Sequence, residues 1–546
     1  MRTGPWLLAL VPAAIALTTT AHAQAAAPPA GATAVRTASL SSDERRAVEA
    51  LDQNAIREVT SALAAPAMEG RGTALPGGDR AAAYIADRFK AMGLAPLGDS
   101  GTYFQHVPFV SVRILPATAI ATPQAQLRWG SDFVLVLPPG ADSTAIRAPA
   151  VFVGYGVVSP ELHRDDIGTT DLSGKIAIVL RGTLRGVDAE AWGRATNAST
   201  IVRTLASRGA IAFAFVDVGG EGASFAEISD YLVRRRVELA AGAPRSKPIV
   251  AYLSDSAASL LWAGSGQSYA ADRSRAESGQ NVARVLQPWM AITVHAHTER
   301  GVGSNVIAAL PGHDVTGSKE AVIFTAHYDA YGVEGARIYP GAADNALGVA
   351  TMLAVAADLA RQTKLRRAVI FEAVTGEEHG LLGAAWWADH PTWPLSRVVA
   401  DLNIDGIGTE TYGPVAQVTG FGAEYSTLGP LLDDAAASLG LRVIPDPFPE
   451  EQAFYRSDHY MLVQHGVPAL MVLGGPAGDS WRSRAKAWLG PGGDYHQPGD
   501  SVRTDWNWSG PRTLGALTLV MAMRIANDNT VPAWNPGAPF SRERKQ

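Results

Sequence analysis

Ala321-Val322-Ile323-Phe324-Thr325-Ala326-His327-Tyr328-Asp329 is the stretch that decides the fold of this chain. It runs apolar on both faces and then delivers a histidine and an aspartate. A run of that kind suits a central strand covered by helices on both sides. Three later runs share the texture, at 367–374, 398–404 and 467–473. Helical spacing at 346–361, 381–389 and 428–439 separates them. The alternation predicts an α/β fold with a mainly parallel, mixed sheet flanked by helices.

The polar residues at the ends of these runs carry the chemistry. Gly341-Ala342-Ala343-Asp344-Asn345 is a Gly-rich turn, and Gly376-Glu377-Glu378, Asn403-Ile404-Asp405-Gly406 and Tyr495-His496-Gln497-Pro498-Gly499-Asp500 follow it. Open α/β sheets bind ligands beyond the carboxyl ends of their strands, so His327, Glu377 and Asp405 are expected on one rim. Two histidines, two aspartates and a glutamate then stand as metal ligands, with one glutamate left over. That inventory suits two divalent metals activating a water for hydrolysis. Two neighbouring dications repel, and a carboxylate between them offsets the repulsion; Asp344 is the best candidate for the bridge. Glu377 is suited to take the proton of the water and pass it to a leaving amine.

As an ordered set these motifs resemble the co-catalytic di-zinc aminopeptidase family, whose relatives include glutamate carboxypeptidases, glutaminyl cyclases and transferrin receptors. The resemblance covers about 300–530 and reaches back to Met68-Glu69-Gly70-Arg71-Gly72-Thr73 and the helix after it. It implies a zinc exopeptidase fold and two Zn2+ per chain. His327 and Asp405 would hold one ion, Glu378 and His496 the other, with Asp344 bridging and Glu377 the general base. Asp329 would orient His327, and Asp500 would do the same for His496. The peptide between Asp344 and Asn345 would be cis. Tyr455 is expected to donate a hydrogen bond to the tetrahedral oxyanion.

Outward from this core, residues 1–23 read as a signal peptide. Arg2 precedes an apolar core at 6–17, and Ala21-His22-Ala23 is a cleavage site, so a periplasmic or secreted chain is expected. The chain has no cysteine, so neither disulfides nor lipidation on cysteine is available. An Ala- and Pro-rich linker at 24–40 is expected to be disordered. One helix is expected over 42–63 and another over 79–92. The apolar run at 513–523 has about half the ~20 residues that a membrane-spanning helix needs. It therefore reads as a packed helix, without stable membrane insertion.

From 125 to 290 short β-rich runs alternate with Gly, Pro and Asp turns, interrupted by a helix at 195–208. The segments 152–160, 171–182 and 205–212 resemble a protease-associated domain, which would shape access to a cleft. The expected division is thus 41–124 for the first part of the peptidase domain, 125–290 for the insert and 291–546 for the remainder. A formal charge of −6 excludes a basic nucleic-acid surface.

Peptides are the expected substrates, cleaved from their amino ends. A metallocarboxypeptidase on the same scaffold would need arginines gathered around the substrate carboxylate, for which Arg337, Arg456 and Arg482 are available. A receptor-like module of the same fold would have lost its metal ligands, and all are intact here. Glutaminyl cyclase fits less well, given the insert and the context of Glu377.

Overall fold

A computed structural model describes residues 39–136, 143–184, 186–219, 224–240, 248–313, 320–361 and 365–541. The expected signal peptide, and the linker up to 38, lie outside the described residues. The chain divides into two compact units, one formed by 110–300 and the other by the sequence on either side of it.

The larger unit is built on a mixed sheet. Among its described strands are β1 (Ala95–Pro96), β2 (Arg284–Leu310), β3 (Ala321–His327), β4 (Ala368–Val374), β5 (Val398–Asn403), β6 (Gln417–Phe421), β7 (Arg442–Val443) and β8 (Ala469–Gly475). Their order across the sheet is β1-β2-β4-β3-β5-β8-β6-β7. Strands β4, β3, β5 and β8 run parallel, while β2 and β6 oppose their neighbours β4 and β8. The parallel strands β3, β4 and β5 are buried at every position, as their apolar sequences require.

Three helices follow the expected spacing closely, Leu347–Leu359, Leu382–Asp389 and Leu428–Ser438. The apolar run at 513–523 lies within the helix Ser509–Asn527, most of which is buried. Among the described residues one helical stretch, Ala342–Leu359, is apolar and long enough to cross a membrane, and 94% of it is buried inside the protein.

The N-terminal helix expected over 42–63 is instead two, α1 (Ser42–Ala50) and α2 (Gln53–Leu63). Leu51 is extended, and the Asp52 side chain accepts from Asn54 N at 2.8 Å to start α2. A short acid at that point satisfies the free amides of a new first turn, so the chain breaks there. Helix α3 (Pro76–Ala91) starts three residues before the expected position, with Pro76 in its first turn, where a missing N–H costs nothing.

The insert also differs from expectation. It spans 110–300 where composition indicated 125–290, because Ala119–Ala121 pairs with residues 291–293 and with Gln126–Arg128. Those partners lie far apart in sequence, so no local change of texture marks the boundary. Four of its strands, Ser143–Phe152, Ile176–Arg181, Ala212–Asp217 and Ile249–Ser254, form a parallel set. The helix expected at 195–208 is two, Ala189–Thr196 and Ala198–Ser207, and the Asn197 side chain caps the second.

Candidate metal centre

The rim formed by the ends of β3, β4 and β5 assembles the expected side chains. His327 is the last residue of β3, and its Nε2 lies 3.1 Å from Asp344 Oδ1 and 3.3 Å from Asp405 Oδ1. On the other side His496 Nε2 lies 3.2 Å from Asp344 Oδ2 and 3.1 Å from Glu378 Oε2. The two oxygens of Asp344 therefore face two different donor sets. Each set of three, His327–Asp344–Asp405 and Asp344–Glu378–His496, converges closely enough to hold an ion. Tetrahedral zinc with bonds of ~2.0–2.1 Å separates adjacent ligand atoms by about 3.3 Å, which the observed spacings match.

The electrostatics also favour bound cations. Burial works against a charged His327, yet the carboxylates of Glu377, Asp405, Asp329 and Asp344 hold it well above the ordinary histidine range. Burial likewise opposes charge on His496, but Glu378 and Asp344 push it up to about 9. Burial would raise Asp344, and the two histidines instead hold it well below the usual carboxylate range. Carboxylates gathered in a low-dielectric pocket draw positive charge, as protons or as metal ions.

Backbone geometry fixes the loops. Gly376 takes φ +76°, and a Cβ there would press on the Phe109 ring at 3.3 Å, so glycine turns the chain from β4 into Glu377. The Asp344–Asn345 peptide is cis, as the resemblance implied. Asn345 ties the turn to β5, donating to Ile404 O at 2.9 Å.

Glu377 lies beside both donor sets, with Oε2 3.9 Å from His327 Nε2. Burial, reinforced by Asp405, Asp458 and Glu378, pushes its carboxyl well above the usual range against the pull of His327. Asp329 faces His327 Nδ1, with its carbonyl oxygen at 3.3 Å and Oδ1 at 3.7 Å. Its carboxylate also accepts from Glu377 N at 3.2 Å and from Thr73 Oγ1 at 2.8 Å, so one acid braces both His327 and Glu377.

Three side chains take parts that differ from expectation or were not foreseen. The Asp500 carboxylate, expected to orient His496, accepts from Ala343 N at 2.8 Å and Asp344 N at 3.1 Å, bracing the turn of the central aspartate. The partner of His496 Nδ1 is Tyr331, whose hydroxyl lies 3.1 Å away. Arg71 is fully buried and donates to the carbonyls of Leu63, Tyr328, Pro340 and Gly341 at 2.5–2.8 Å. Burial draws its pKa down to about 10, against the pull of Asp500, Asp329, Glu378 and Asp344.

A cavity opens beside Asp344, Glu377 and Asp405, with an apolar wall of Ile407, Phe421, Phe448, Met471, Leu473 and Leu489. Tyr495 lines it, not Tyr455. The Tyr455 hydroxyl lies 3.5 Å from that of Tyr425, and its ring packs on Phe454 and Tyr460. The Tyr495 hydroxyl accepts from Arg456 Nη2 at 3.2 Å, and Arg456 also pairs with Glu451 at 3.0 Å. Of the three arginines singled out from sequence, only Arg456 lines the cavity. Arg337 lies over the Tyr339 ring and Arg482 over that of Trp481.

Residues 305–522 match the family described as peptidase family M28. A probable leucine aminopeptidase 2 of Aspergillus oryzae is 26% identical over 287 residues, 49% of this chain and 55% of that protein. The chain thus spans about half the length of the curated leucine aminopeptidases it matches. A vacuolar membrane protease of Schizophyllum commune is 35% identical over 104 residues, 19% of this chain and 10% of that protein. Among solved structures, an aminopeptidase from Aneurinibacillus sp. strain AM-1 shares the fold with a TM-score of 0.55 at 19% identity, covering 88% of this chain and 96% of its own. A zinc aminopeptidase from Bacillus subtilis gives 0.54 at 17%, covering 88% and 97%.

Proposed function

We propose, from the match of residues 305–522 to peptidase family M28, that the chain is an exported two-zinc aminopeptidase. The observation that carries the reading is Asp344, with one carboxylate oxygen toward His327 and the other toward His496. His327 and Asp405 would hold one zinc, Glu378 and His496 the other, and Asp344 both. Bound zinc would supply Lewis acidity at the scissile carbonyl and lower the pKa of water toward ~7.

The protein's own side chains do the rest. Glu377 takes the proton of the attacking water and returns it to the leaving amine. Asp329 holds Glu377 and His327 in register through the contacts described above. Tyr495 replaces Tyr455 as the donor to the developing oxyanion, and the Arg456 guanidinium beside its hydroxyl strengthens that donor. The apolar wall from Ile407 to Leu489 would take a large apolar first side chain.

The arginines favour this reading over a carboxypeptidase. A substrate carboxylate would find only Arg456 among the three considered, already engaged by Glu451 and Tyr495. Intact ligands favour it over a receptor-like module. The insert is proposed as a protease-associated domain without chemistry of its own; among the described residues it holds no cluster of three metal-ligating groups.

A panel of peptides with free and blocked amino ends, assayed on zinc-loaded protein with and without chelator, tests the function. Only free amines should be processed, from the amino end and in a chelator-sensitive way. Cleavage of blocked peptides from the carboxyl end would replace this reading with the carboxypeptidase.

A further inference from the structure

We propose that Asp401 is a neutral carboxylic acid that begins a one-way chain of hydrogen bonds fixing the Asp405 carboxylate, an inference that rests on the reading of Asp405 as a metal ligand. Asp401 touches no reacting atom in this scheme. It is a positioning residue, acting through three others.

The chain is continuous in the structure. Ser457 Oγ lies 2.6 Å from Asp405 Oδ2 and 2.5 Å from Asn403 Nδ2. Asn403 Oδ1 lies 2.8 Å from Thr325 Oγ1. Thr325 Oγ1 in turn lies 3.0 and 3.1 Å from the two oxygens of Asp401. Thr325, Asp401 and Asn403 are wholly buried, and Ser457 is 2% exposed.

Counting protons sets the direction. A metal-binding carboxylate has no proton, so Ser457 donates its single hydroxyl proton to Asp405. The Asn403 amide must then present its N–H to Ser457; the opposite rotamer would require Ser457 to donate twice. That leaves the Asn403 oxygen toward Thr325, and an amide oxygen only accepts, so Thr325 donates there. With its one proton committed, Thr325 can only accept from Asp401. The Asp401 carboxyl must therefore carry the proton.

The surroundings agree. Burial holds Asp401 well above the ordinary carboxylate range, outweighing the contact with Thr325. Glu372 and Asp458, both fully buried, crowd the same region: beyond burial, Asp458 and Asp401 push Glu372 up, and Asp401 is among the carboxylates that push Asp458 up. Like charges so close in a low dielectric favour neutral acids. Aligned donors along such a chain polarise one another. The result clamps Asp405 Oδ2 and leaves Oδ1 facing His327 Nε2 at 3.3 Å.

The test uses the full-length protein in three forms, wild type, Thr325→Val and Asp401→Asn. The infrared difference between wild type and Asp401→Asn should show the carbonyl stretch of a protonated carboxylic acid, whether or not zinc is present. In chelator competition Thr325→Val should bind zinc ~10–100-fold more weakly. Asp401→Asn, whose amide still donates, should bind it as wild type does. A missing carbonyl band would overturn the assignment, as would wild-type zinc affinity in Thr325→Val or a loss in Asp401→Asn that matches it. Should Thr325→Val fail to fold, the band and the Asp401→Asn affinity decide. Wild-type protein that holds no pair of zinc ions would instead sink the two-metal reading and leave the infrared result standing on its own.

Discussion

Glu377 and Tyr495 sit on the same cavity and divide two tasks between them, moving a proton and meeting negative charge. Replacing Glu377 by Gln keeps the shape and removes the base. Turnover should fall by ~10²–10⁴ while elemental analysis still finds two zinc per chain; loss of metal along with activity would make Glu377 a ligand instead. Tyr495→Phe removes only the hydroxyl. It should cost ~10²–10³ in kcat with little change in KM, whereas Tyr455→Phe should leave kcat alone. The reverse outcome would restore Tyr455 to the role its sequence context suggested. The choice between the two is instructive. Tyr455 and Tyr495 both stand next to site motifs, and only the packing of Tyr455 on Phe454 and Tyr460 turns its hydroxyl toward Tyr425. The proposed ligands were legible because each follows an apolar run or a Gly-rich turn. Their supporting partners were not: Tyr331 meets His496 across 165 positions, and Asp500 meets Ala343 across 157.

Among the elements, α1 and α2 show how a single residue sets a boundary. Hydrophobic spacing carries on through 42–63, so periodicity alone reads one helix. Asp52 breaks it, because its carboxylate captures Asn54 N more readily than a helix interior could use it. Helix α2 buries Ile56, Val59 and Leu63 on one face, so its start determines where that face points. Asp52→Ala should lower stability by about 1 kcal/mol, measured as a shift in denaturant midpoint at unchanged slope. An unchanged midpoint would mean that the break belongs to Leu51 or to tertiary packing. The central strands needed no such detail. Runs apolar on both faces have few alternatives to the middle of a covered sheet, and their observed limits differ from the expected ones by a residue or two. The insert's limits were harder, because its first and last strands pair with each other across some 170 positions.

For the molecule as a whole, acid should act through the buried histidine that stands apart from the site, His459. His459 is fully buried beside the Phe454 ring, and burial lowers its pKa to about 3. The unfolded chain takes up a proton at this residue below about 6.5, whereas the folded chain refuses it until about 3. Unfolding therefore binds protons across that window. The contribution of His459 to stability is complete above the window and is lost as pH falls through it, of order 4 kcal/mol by its lower end. His459→Gln should flatten this part of the stability–pH curve, measured by denaturant unfolding at a series of pH values. Parallel curves for the two proteins would show that His459 is accessible to protons in the folded state.

The buried guanidinium of Arg71 has a consequence for autonomy. Among the described residues the proposed zinc ligands all lie between 327 and 496, so a fragment starting at 301 would possess the full set. It would nonetheless lack the cation that gathers the carbonyls of Tyr328, Pro340 and Gly341 from 257 to 270 positions away. During synthesis the ribosome must release both flanks of the insert before that knot can close, which makes this centre a late product of folding. The isolated 301–546 fragment should take up no stable zinc pair by elemental analysis, and co-expression with residues 39–109 is the complementation most able to restore it.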